Sequence, residues 1–328
     1  MSVEGPDIAE IRALHEAIAG DILVTPVMRC AAIEQVLGAG TEVLAKLEFL
    51  QRTGTFKARG ALATLRSLSA DQRDAGVTAV SAGNHAIATA FAARALGASA
   101  KVVMTRTANP SRVAACRRFG ADVVLADDVH QAFELAEGIQ QDEGRYFVHP
   151  FEGPQIALGT GTVGLEICEQ VDEFDALVVP VGGGGLIAGV ANAVKQLRPD
   201  VEVIGVEPKG ADTMHRSRAA GEPRSIDKVM TIADSLGSPF AMPYSFALVQ
   251  RYVDRLTLVD DEQLRRSMGF LFRTMKLAVE PACAASTSAL LGPLRERLRG
   301  LRVVLVMCGS NIDWNTFESQ VIFDDGIS

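Results

Sequence analysis

Short apolar segments alternate with longer helix-like segments along most of the chain, and this alternation is the feature that most constrains its fold. In the first half, apolar runs at 77–80, 101–104, 122–125 and 146–148 are separated by segments with helical periodicity. Strands and helices that alternate in this way form parallel sheets with right-handed crossovers. Residues 75–148 are therefore predicted to form the core of one α/β lobe.

The same alternation resumes after the turn at His149 and Pro150, and it predicts a second lobe. The additional strands are expected at 42–48, 176–181, 201–206 and 301–307. We therefore predict an α/β fold of two open, mostly parallel lobes, with an active site in the cleft between them. The large domain is expected to comprise residues 1–52 and 150–328, and the small domain residues 53–149.

The composition indicates a globular enzyme and argues against several classes of partner. The chain of 328 residues has a formal net charge of −8, which disfavours nucleic acid or an anionic membrane as the partner. No apolar run approaches the about 20 residues of a membrane span, and no export signal is visible. The five cysteines are dispersed without a C-x-x-C pair, which is typical of reduced thiols in a cytoplasmic protein.

Four consecutive glycines lie at 182–185, between a predicted strand and a predicted helix. At such a junction, backbone N–H groups and the positive helix end bind phosphate, and the missing side chains let the anion approach closely. A tight turn without a ligand is the alternative, but four glycines in a row carry a large cost in chain entropy. The pattern is neither G-x-G-x-x-G nor a P-loop, so a single phosphate is expected instead of a dinucleotide.

Two other strand ends carry small polar residues. The sequence Ser-Ala-Gly-Asn-His at 81–85 follows the strand at 77–80, and its backbone, hydroxyl and amide donors would suit a carboxylate. A helix N-cap explains these residues equally well, and a lone histidine is more often a buried structural residue. Cys308 follows the last predicted strand, where open α/β sheets bind ligands, although free cysteine is usually a small buried hydrophobe.

The sequence Thr-Gly-Thr-Phe-Lys-Ala-Arg-Gly at 53–60 places Lys57 directly after a turn of small residues. Lysine condenses with aldehydes, and burial readily lowers its pKa. Taken alone, this segment is more typical of a solvated helix start. It gains weight because the chain also carries a phosphate-type loop, a carboxylate-type loop and a small polar residue at a strand end.

Together these motifs resemble the fold-type II pyridoxal-phosphate enzymes, and most closely the serine/threonine dehydratases, or threonine ammonia-lyases. The ordered triplet Thr-Phe-Lys-Ala-Arg-Gly, Ser-Ala-Gly-Asn-His-Ala and Val-Gly-Gly-Gly-Gly-Leu carries the resemblance. The segments at 149–151, 205–208 and 279–281 agree as well, so that the resemblance covers nearly the whole chain. It implies pyridoxal 5'-phosphate as cofactor, a small-molecule amino acid as substrate, and a homodimer or homotetramer.

The resemblance also implies a role for each matching residue around the cofactor ring. Lys57 would hold the cofactor as a Schiff base and would then act as the base at the substrate Cα. Phe56 would pack against the pyridine ring, and Asn84 would bond the ring hydroxyl. Cys308 would face the pyridine nitrogen, with Glu280 nearby. A neutral thiol there would not hold the nitrogen protonated, which favours rapid loss of a β-leaving group over a long-lived carbanion.

Two loops would bind the anionic groups. The cofactor phosphate is assigned to Gly182, Gly183, Gly184, Gly185 and Leu186. The substrate carboxylate is assigned to Ser81, Ala82, Gly83, Asn84 and His85. The implied reaction is β-elimination: an amino acid with a β-hydroxyl loses its α-proton to Lys57 and then loses water, which leads to a 2-oxo acid and ammonia.

The chain departs from the patterns of its apparent relatives at three places. Racemase-like relatives carry a second serine where this chain has Ala82, which cannot transfer a proton, so elimination is favoured over a serine racemase-like isomerisation. A Mg²⁺ or Ca²⁺ site of some relatives would use Glu207 and the Ala211 carbonyl, but its third position is Thr213, which puts the metal in doubt. Thr160 stands where many dehydratases have glutamine, so the pocket next to the substrate is expected to differ.

Several alternatives stay open. Threonine, serine and 3-hydroxyaspartate are all candidate substrates, because no arginine can be assigned to a second substrate carboxylate. A β-replacement synthase shares the fold but typically has Ser-x-Lys-Asp-Arg where this chain has Thr-Phe-Lys-Ala-Arg. A non-catalytic amino-acid-binding protein would need no reactive Lys57. The chain ends soon after the predicted core, so the C-terminal regulatory domain of biosynthetic threonine dehydratases is not expected.

Overall fold

The structure, a computed structural model, describes residues 3–323; the ends of the predicted large domain, at 1–2 and 324–328, lie outside the described residues. Within this range the strands form one six-stranded and one four-stranded sheet. In chain order the strands are β1 (Val27–Arg29), β2 (Glu42–Lys46), β3 (Val77–Val80), β4 (Ala100–Thr105), β5 (Asp122–Ala126), β6 (Tyr146–Phe147), β7 (Ala176–Pro180), β8 (Glu202–Pro208), β9 (Arg255–Val259) and β10 (Arg302–Val306).

Helices pack around both sheets. In chain order the α-helices are α1 (Ile8–Ile18), α2 (Ala31–Leu37), α3 (Lys57–Ser67), α4 (Ala70–Ala75), α5 (Asn84–Ala95), α6 (Pro110–Arg118), α7 (Val129–Glu143), α8 (Pro154–Gln170), α9 (Gly185–Leu197), α10 (Thr213–Ala220), α11 (Pro243–Tyr252), α12 (Asp261–Phe270), α13 (Pro281–Leu291) and α14 (Trp314–Gln320). Short 3-10 helices lie at Glu48–Leu50, Lys209–Ala211 and Asp234–Leu236, and one π-helical turn at Leu271–Met275 follows α12. Among the described residues, no helix is both long and apolar enough to cross a membrane.

The smaller sheet has the strand order β5-β4-β3-β6, and all of its strand pairs are parallel. Its strands are apolar because helices cover both faces, as parallel sheets require. Helix α7 leaves β5 at one edge and leads to β6 at the other, so it crosses the sheet against β4 and β3. The carboxyl ends of β3, β4 and β5 therefore lie together at one edge of the sheet, beside the start of α7.

The larger sheet has the order β1-β2-β10-β7-β8-β9, and only β1 runs antiparallel to its neighbour. Strand β7 and most of β10 are buried, which explains their continuous apolar sequences. The predicted α/β fold of two mostly parallel lobes is confirmed. Strands β1 and β9 were not predicted, because β1 is three residues long and β9 is an edge strand with a polar start.

Candidate active site

One cavity of about 300 Å³ opens in the cleft between the two lobes, at the carboxyl ends of their strands. It brings together all the residues that the sequence assigned to the cofactor and the substrate, from both loops and from the strand ends. These residues are Phe56, Lys57, Ser81, Ala82, Gly83, Asn84, His85, Gly182, Gly183, Gly184, Gly185, Leu186, Glu280 and Cys308. The two candidate metal ligands, Glu207 and Ala211, do not line it.

The turn before Lys57 is joined by backbone hydrogen bonds to the end of β10. Phe56 N donates to Cys308 O at 3.2 Å, and Thr55 forms a β-bridge with Gly309. Gly54 has a φ of 73°, a left-handed conformation that glycine adopts without strain. This pairing brings Lys57, the first residue of α3, to the same wall of the cavity as the Cys308 thiol.

The amine of Lys57 lies in a largely nonpolar environment. Burial lowers its pKa to about 8, although nearby Cys308 and Glu280 act in the opposite direction. Its Nζ donates to the carbonyl oxygen of Pro150 at 2.5 Å and lies 5.2 Å from the centre of the Phe56 ring. An amine with this pKa is partly neutral near neutral pH, as a nucleophile or a base must be.

The thiol of Cys308 is neutral. A hydrogen bond with the Cys283 thiol and burial raise the pKa of Cys308 well above its usual range. Because the thiol stays protonated, it offers the cavity a weak, uncharged hydrogen-bonding group instead of an anion. The contact of this thiol with a pyridine nitrogen, which the resemblance implies, stays a prediction.

The glycine loop at the start of α9 has the geometry of an anion cradle. Gly184 has a φ of 91°, and a Cβ on Gly183 would lie 2.3 Å from the Phe151 ring. Side chains are therefore excluded from this loop, and the first N–H groups of α9, which lack intrahelical acceptors, are left to face a ligand. A single phosphate group fits this donor set.

The second loop, Ser81 to His85, leads into α5, and some of its polar groups already form hydrogen bonds within the protein. Gly83 N donates to Ser81 Oγ at 3.1 Å, which shapes the turn. The Nε2 atom of His85 bonds to the carbonyl oxygen of Val148 at 2.7 Å, and burial lowers the pKa of this histidine to about 3. His85 is thus a neutral, buried residue that links α5 to the end of β6, which agrees with the expectation that a lone histidine is more often structural.

Asn84 links the lobes through its side-chain amide. Its Nδ2 donates to Glu280 Oε1 at 2.8 Å and to Ser235 Oγ at 3.1 Å, and its Oδ1 accepts from Asn311 Nδ2 at 2.7 Å. The bond from Asn84 to a cofactor hydroxyl stays a prediction. To form it, the Asn84 amide would have to share its present hydrogen bonds with the hydroxyl or give one of them up.

Glu280 is a buried carboxyl group with an incomplete set of partners. Its Oε1 accepts from Asn84, whereas its Oε2 has no hydrogen-bond partner among the described residues and lies 3.8 Å from Arg112 Nη2. Burial raises the pKa of Glu280 to about 7, against the lowering effect of Arg112. An unpartnered polar atom inside a ligand-sized cavity is costly unless a ligand or water completes it.

The sequence interpretation missed the residues that close the cleft. Arg112 Nη1 pairs with Asp234 Oδ2 at 2.5 Å, and Arg112 Nε donates to Asn311 O at 2.9 Å. Arg112 belongs to the small lobe, whereas Asp234 lies in the irregular segment at 208–243 that the sequence placed near the site. No local pattern distinguishes Arg112 from the other arginines, because its partner is 122 residues away.

Two residues singled out in the sequence lie outside the cavity. Glu207 accepts hydrogen bonds from Met214 N and His215 N, both at 2.7 Å, and so caps the start of α10. Within residues 3–323, no cluster of three or more His, Cys, Asp or Glu side chains could hold a metal ion. Thr160 is buried, and its Oγ1 donates to the carbonyl oxygen of Gly185 at 2.8 Å, where it supports the glycine loop from behind. That the pocket next to the substrate differs because of Thr160 stays a prediction.

These features fit pyridoxal 5'-phosphate. The cavity combines a partly neutral amine for its aldehyde, a side-chain-free cradle for its phosphate, the Phe56 ring, a neutral thiol and an unpartnered carboxyl oxygen. A lysine amine for a Schiff base beside a site for one phosphate group is what pyridoxal phosphate requires of its protein.

The family described as pyridoxal-phosphate dependent enzymes matches residues 18–309. A phenylserine dehydratase of Ralstonia pickettii is 52% identical over 95% of both chains, and an L-threonine ammonia-lyase of Thermotoga maritima is 40% identical over 85% of this chain and 69% of its own. The structure of maize serine racemase superposes with a TM-score of 0.91, at 33% identity, over 96% of this chain and 97% of its own. The predicted resemblance is confirmed: this chain belongs to the pyridoxal-phosphate-dependent enzymes of fold type II.

Proposed function

We propose that this chain is a pyridoxal-phosphate-dependent lyase that converts a 3-hydroxy amino acid to a 2-oxo acid and ammonia by β-elimination. The relatives named phenylserine dehydratase and L-threonine ammonia-lyase support this class of reaction. The observation that carries the proposal is the amine of Lys57, whose pKa is lowered to about 8 in a cavity that also holds the glycine loop and a neutral Cys308.

When bound, pyridoxal phosphate supplies an aldehyde that condenses with amines and a conjugated ring that withdraws electrons from the substrate Cα. Gly182 to Leu186 would hold its phosphate at the start of α9. Lys57 would bind its aldehyde and later accept the proton of the substrate Cα. The neutral thiol of Cys308 would leave the ring nitrogen unprotonated, which favours departure of the β-hydroxyl as water.

The loop Ser81 to His85 would hold the substrate carboxylate and so fix which face of Cα meets Lys57. On that loop, the methyl group of Ala82 lines the cavity and offers no proton for the opposite face. Racemisation needs such a second acid or base, so elimination is favoured over it, even though serine racemases are among the relatives.

The charges around the cavity favour substrates with one carboxylate. Arg112 is the arginine among the lining residues, and Asp234 and Glu280 already balance its charge. A second substrate carboxylate would have to displace one of them, so 3-hydroxyaspartate is disfavoured. Threonine, serine and 3-phenylserine carry no second charge and remain candidates.

A 2-oxo acid assay tests the proposal with threonine, serine, both 3-hydroxyaspartate diastereomers and 3-phenylserine. We expect the holoenzyme to release 2-oxo acid and ammonia from at least one of them, and Lys57→Ala to lose at least about 10³-fold in kcat, because nucleophile and base are removed together. Lys209→Ala, at an exposed lysine, is the matched control.

Four results would contradict the proposal. Retained turnover in Lys57→Ala would remove the central residue from the mechanism. Thioether formation from an added thiol, without 2-oxo acid, would indicate a β-replacement synthase, and D-serine as the main product from L-serine would indicate a racemase. If no absorbance band near the visible edge is sensitive to borohydride, a non-catalytic amino-acid-binding protein is indicated.

We further propose the domain division and cellular setting expected from the sequence. Residues 1–52 with 150–328 would form the large domain and 53–149 the small one, which the pairing of β2 with β10 in the larger sheet supports. A cytoplasmic homodimer or homotetramer is proposed, and the five free, buried cysteines fit a reducing compartment.

A further inference from the structure

The mouth of the cavity has an apolar patch that the dehydratase mechanism does not use. Val129 and Phe133 lie four residues apart in the first turns of α7, so their side chains share one face of the helix. Both line the same cavity as Lys57, and they are 59% and 47% exposed. Single exposed apolar residues are ordinary, but two neighbouring ones that line the same cavity as Lys57 form a surface suited to a ligand.

The patch continues toward the substrate-carboxylate loop. Val80, the last residue of β3, lines the cavity directly before Ser81 and packs in the same apolar cluster as Ala132 and Ala136 of α7. Val80 therefore places an apolar side chain on the cavity wall between the carboxylate loop and α7. A substrate anchored at Ser81 would carry its β-substituent beside this surface.

The large lobe supplies aromatic surface to the same cavity. Phe240 and Pro239 line it, and the ring centre of Phe240 lies 6.0 Å from that of Phe151, which packs on the glycine loop. Aromatic rings pair favourably at centre distances of about 4.5–7 Å, so an aryl group that enters this part of the cavity would gain by pairing with the Phe240 ring. The methyl group of threonine or the hydrogen of serine would leave this surface uncovered.

We propose that Val129, Phe133 and Phe240 form a binding wall for an aryl group on the substrate Cβ, and that the preferred substrates are 3-aryl-3-hydroxy amino acids. The inference rests on the proposed dehydratase function and names its substrate class. The Cα–H proton passes to Lys57, and the Cβ–O bond breaks so that the oxygen keeps the electron pair, takes up a proton and departs as water. The resulting enamine tautomerises to an imine, which a second water molecule hydrolyses to a 3-aryl-2-oxo acid and ammonia. Phe133 acts in specificity and takes no part in the proton transfer.

Steady-state kinetics of the holoenzyme test the wall. We expect Phe133→Ala to lower kcat/KM for 3-phenylserine about tenfold, equivalent to about 1.4 kcal/mol, and to change kcat/KM for threonine less than about twofold. Phe133→Leu should retain part of the preference for 3-phenylserine over threonine. Val129→Ala should lower kcat/KM for 3-phenylserine less than Phe133→Ala does. Trp314→Ala removes an exposed aromatic side chain that does not line the cavity, so kcat/KM should stay unchanged for both substrates. An unchanged ratio between the two substrates in Phe133→Ala would overturn the inference.

A binding measurement separates this inference from the proposed function. L-Phenylalanine and L-alanine carry no β-hydroxyl, and their affinities for the holoenzyme can be followed through the cofactor absorbance without any elimination. Phenylalanine should bind at least about tenfold more tightly than alanine, and Phe133→Ala should remove most of that advantage. If no 2-oxo acid forms from any substrate but this preference is present, the proposed reaction is wrong and the aryl wall stands. If the preference is absent, the wall is refuted.

Discussion

Two clusters of buried charge flank the Lys57 turn, and they are built differently. Behind the turn, Arg59 donates to Glu48 at 2.8 Å and to Glu166 at 2.6 Å, while Lys46 donates to Glu166 at 2.5 Å. We call these four residues the α3 network. In front of the turn, Glu280 Oε1 accepts a hydrogen bond from Asn84, whereas Oε2 has no hydrogen-bond partner among the described residues and only a long ion pair with Arg112, at 3.8 Å.

The pKa values of two buried glutamates are therefore shifted in opposite directions. Glu166 and Glu280 each have only 1% of their surface exposed, and burial raises the pKa of both. Hydrogen bonds from His15 and Arg59, with the charge of Lys46, outweigh burial at Glu166 and lower its pKa to about 2, whereas burial prevails at Glu280 and raises its pKa to about 7. A satisfied cluster holds the fold together, and an unsatisfied one beside a cavity is suited to a ligand.

The largest effect is expected from breaking the α3 network at its centre. Arg59→Met would leave Glu48 and Glu166 buried without their main cation, so we expect a loss of about 3–5 kcal/mol in the free energy of unfolding, measured by urea denaturation. Arg66→Met, on the exposed side of the same helix, should change it by less than about 0.5 kcal/mol. Equal losses in the two variants would mean that the network adds nothing to stability.

A pH series on the cofactor-free protein would sharpen the contrast between the two carboxyl groups. The pKa of Glu166 is lowered from 4.5 to about 2, so its stabilising effect is present above pH 4.5 and is lost as the pH falls toward 2. The pKa of Glu280 is raised from 4.5 to about 7, so it costs stability increasingly as the pH rises from 4.5 to 7. The cost reaches about 3 kcal/mol above that window.

Glutamine substitutions isolate these two contributions. The stability of Glu280→Gln relative to the unsubstituted protein should rise between pH 4.5 and 7, whereas that of Glu166→Gln should fall between pH 2 and 4.5. Denaturation midpoints at each pH provide the measurement. Parallel pH profiles for the two variants would mean that the two carboxyl groups have equivalent environments, and would contradict the opposite pKa shifts of Glu166 and Glu280.

The smallest effect is expected at the edge of the unsatisfied cluster. Asp234 has 58% of its side chain exposed, so Asp234→Asn should cost less than about 1 kcal/mol of stability. Because it frees the charge of Arg112, it should raise kcat/KM for 3-hydroxyaspartate about two- to fivefold over the unsubstituted enzyme, with kcat/KM for serine as the control. A parallel change for both substrates would mean that Arg112 does not sense the charge of the substrate side chain.

The sequence predicted best what depends on local chemistry. Lys57 after its turn, the glycine loop and the loop from Ser81 all join a strand to a helix, so their residue types report directly on backbone geometry and exposed donors. Cys308 was found because it ends an unbroken apolar strand. The two-lobe fold followed from the alternation of strands and helices.

What the sequence did not predict depends on partners far apart in the chain. The pairing of Arg112 with Asp234 and the three bonds of Asn84 join segments separated by more than a hundred residues. The exposure of Val129 and Phe133 could not be predicted either, because it depends on how the chain folds around α7. The hydrogen bond from Thr160 to the Gly185 carbonyl was not predicted either, because it joins two different helices.

The backbone pairing of the Lys57 turn with the end of β10 has a consequence for motion. The amine and the Cys308 thiol sit on one stiff unit, because Phe56 bonds to Cys308, Thr55 bridges Gly309, and Arg59 anchors the next turn to Glu48 and Glu166. Opening of the cleft by rotation of the small sheet would carry Ser81 and Phe133 away and leave the spacing of amine and thiol unchanged. A rotation of this kind would admit and release substrate without moving the amine relative to the thiol.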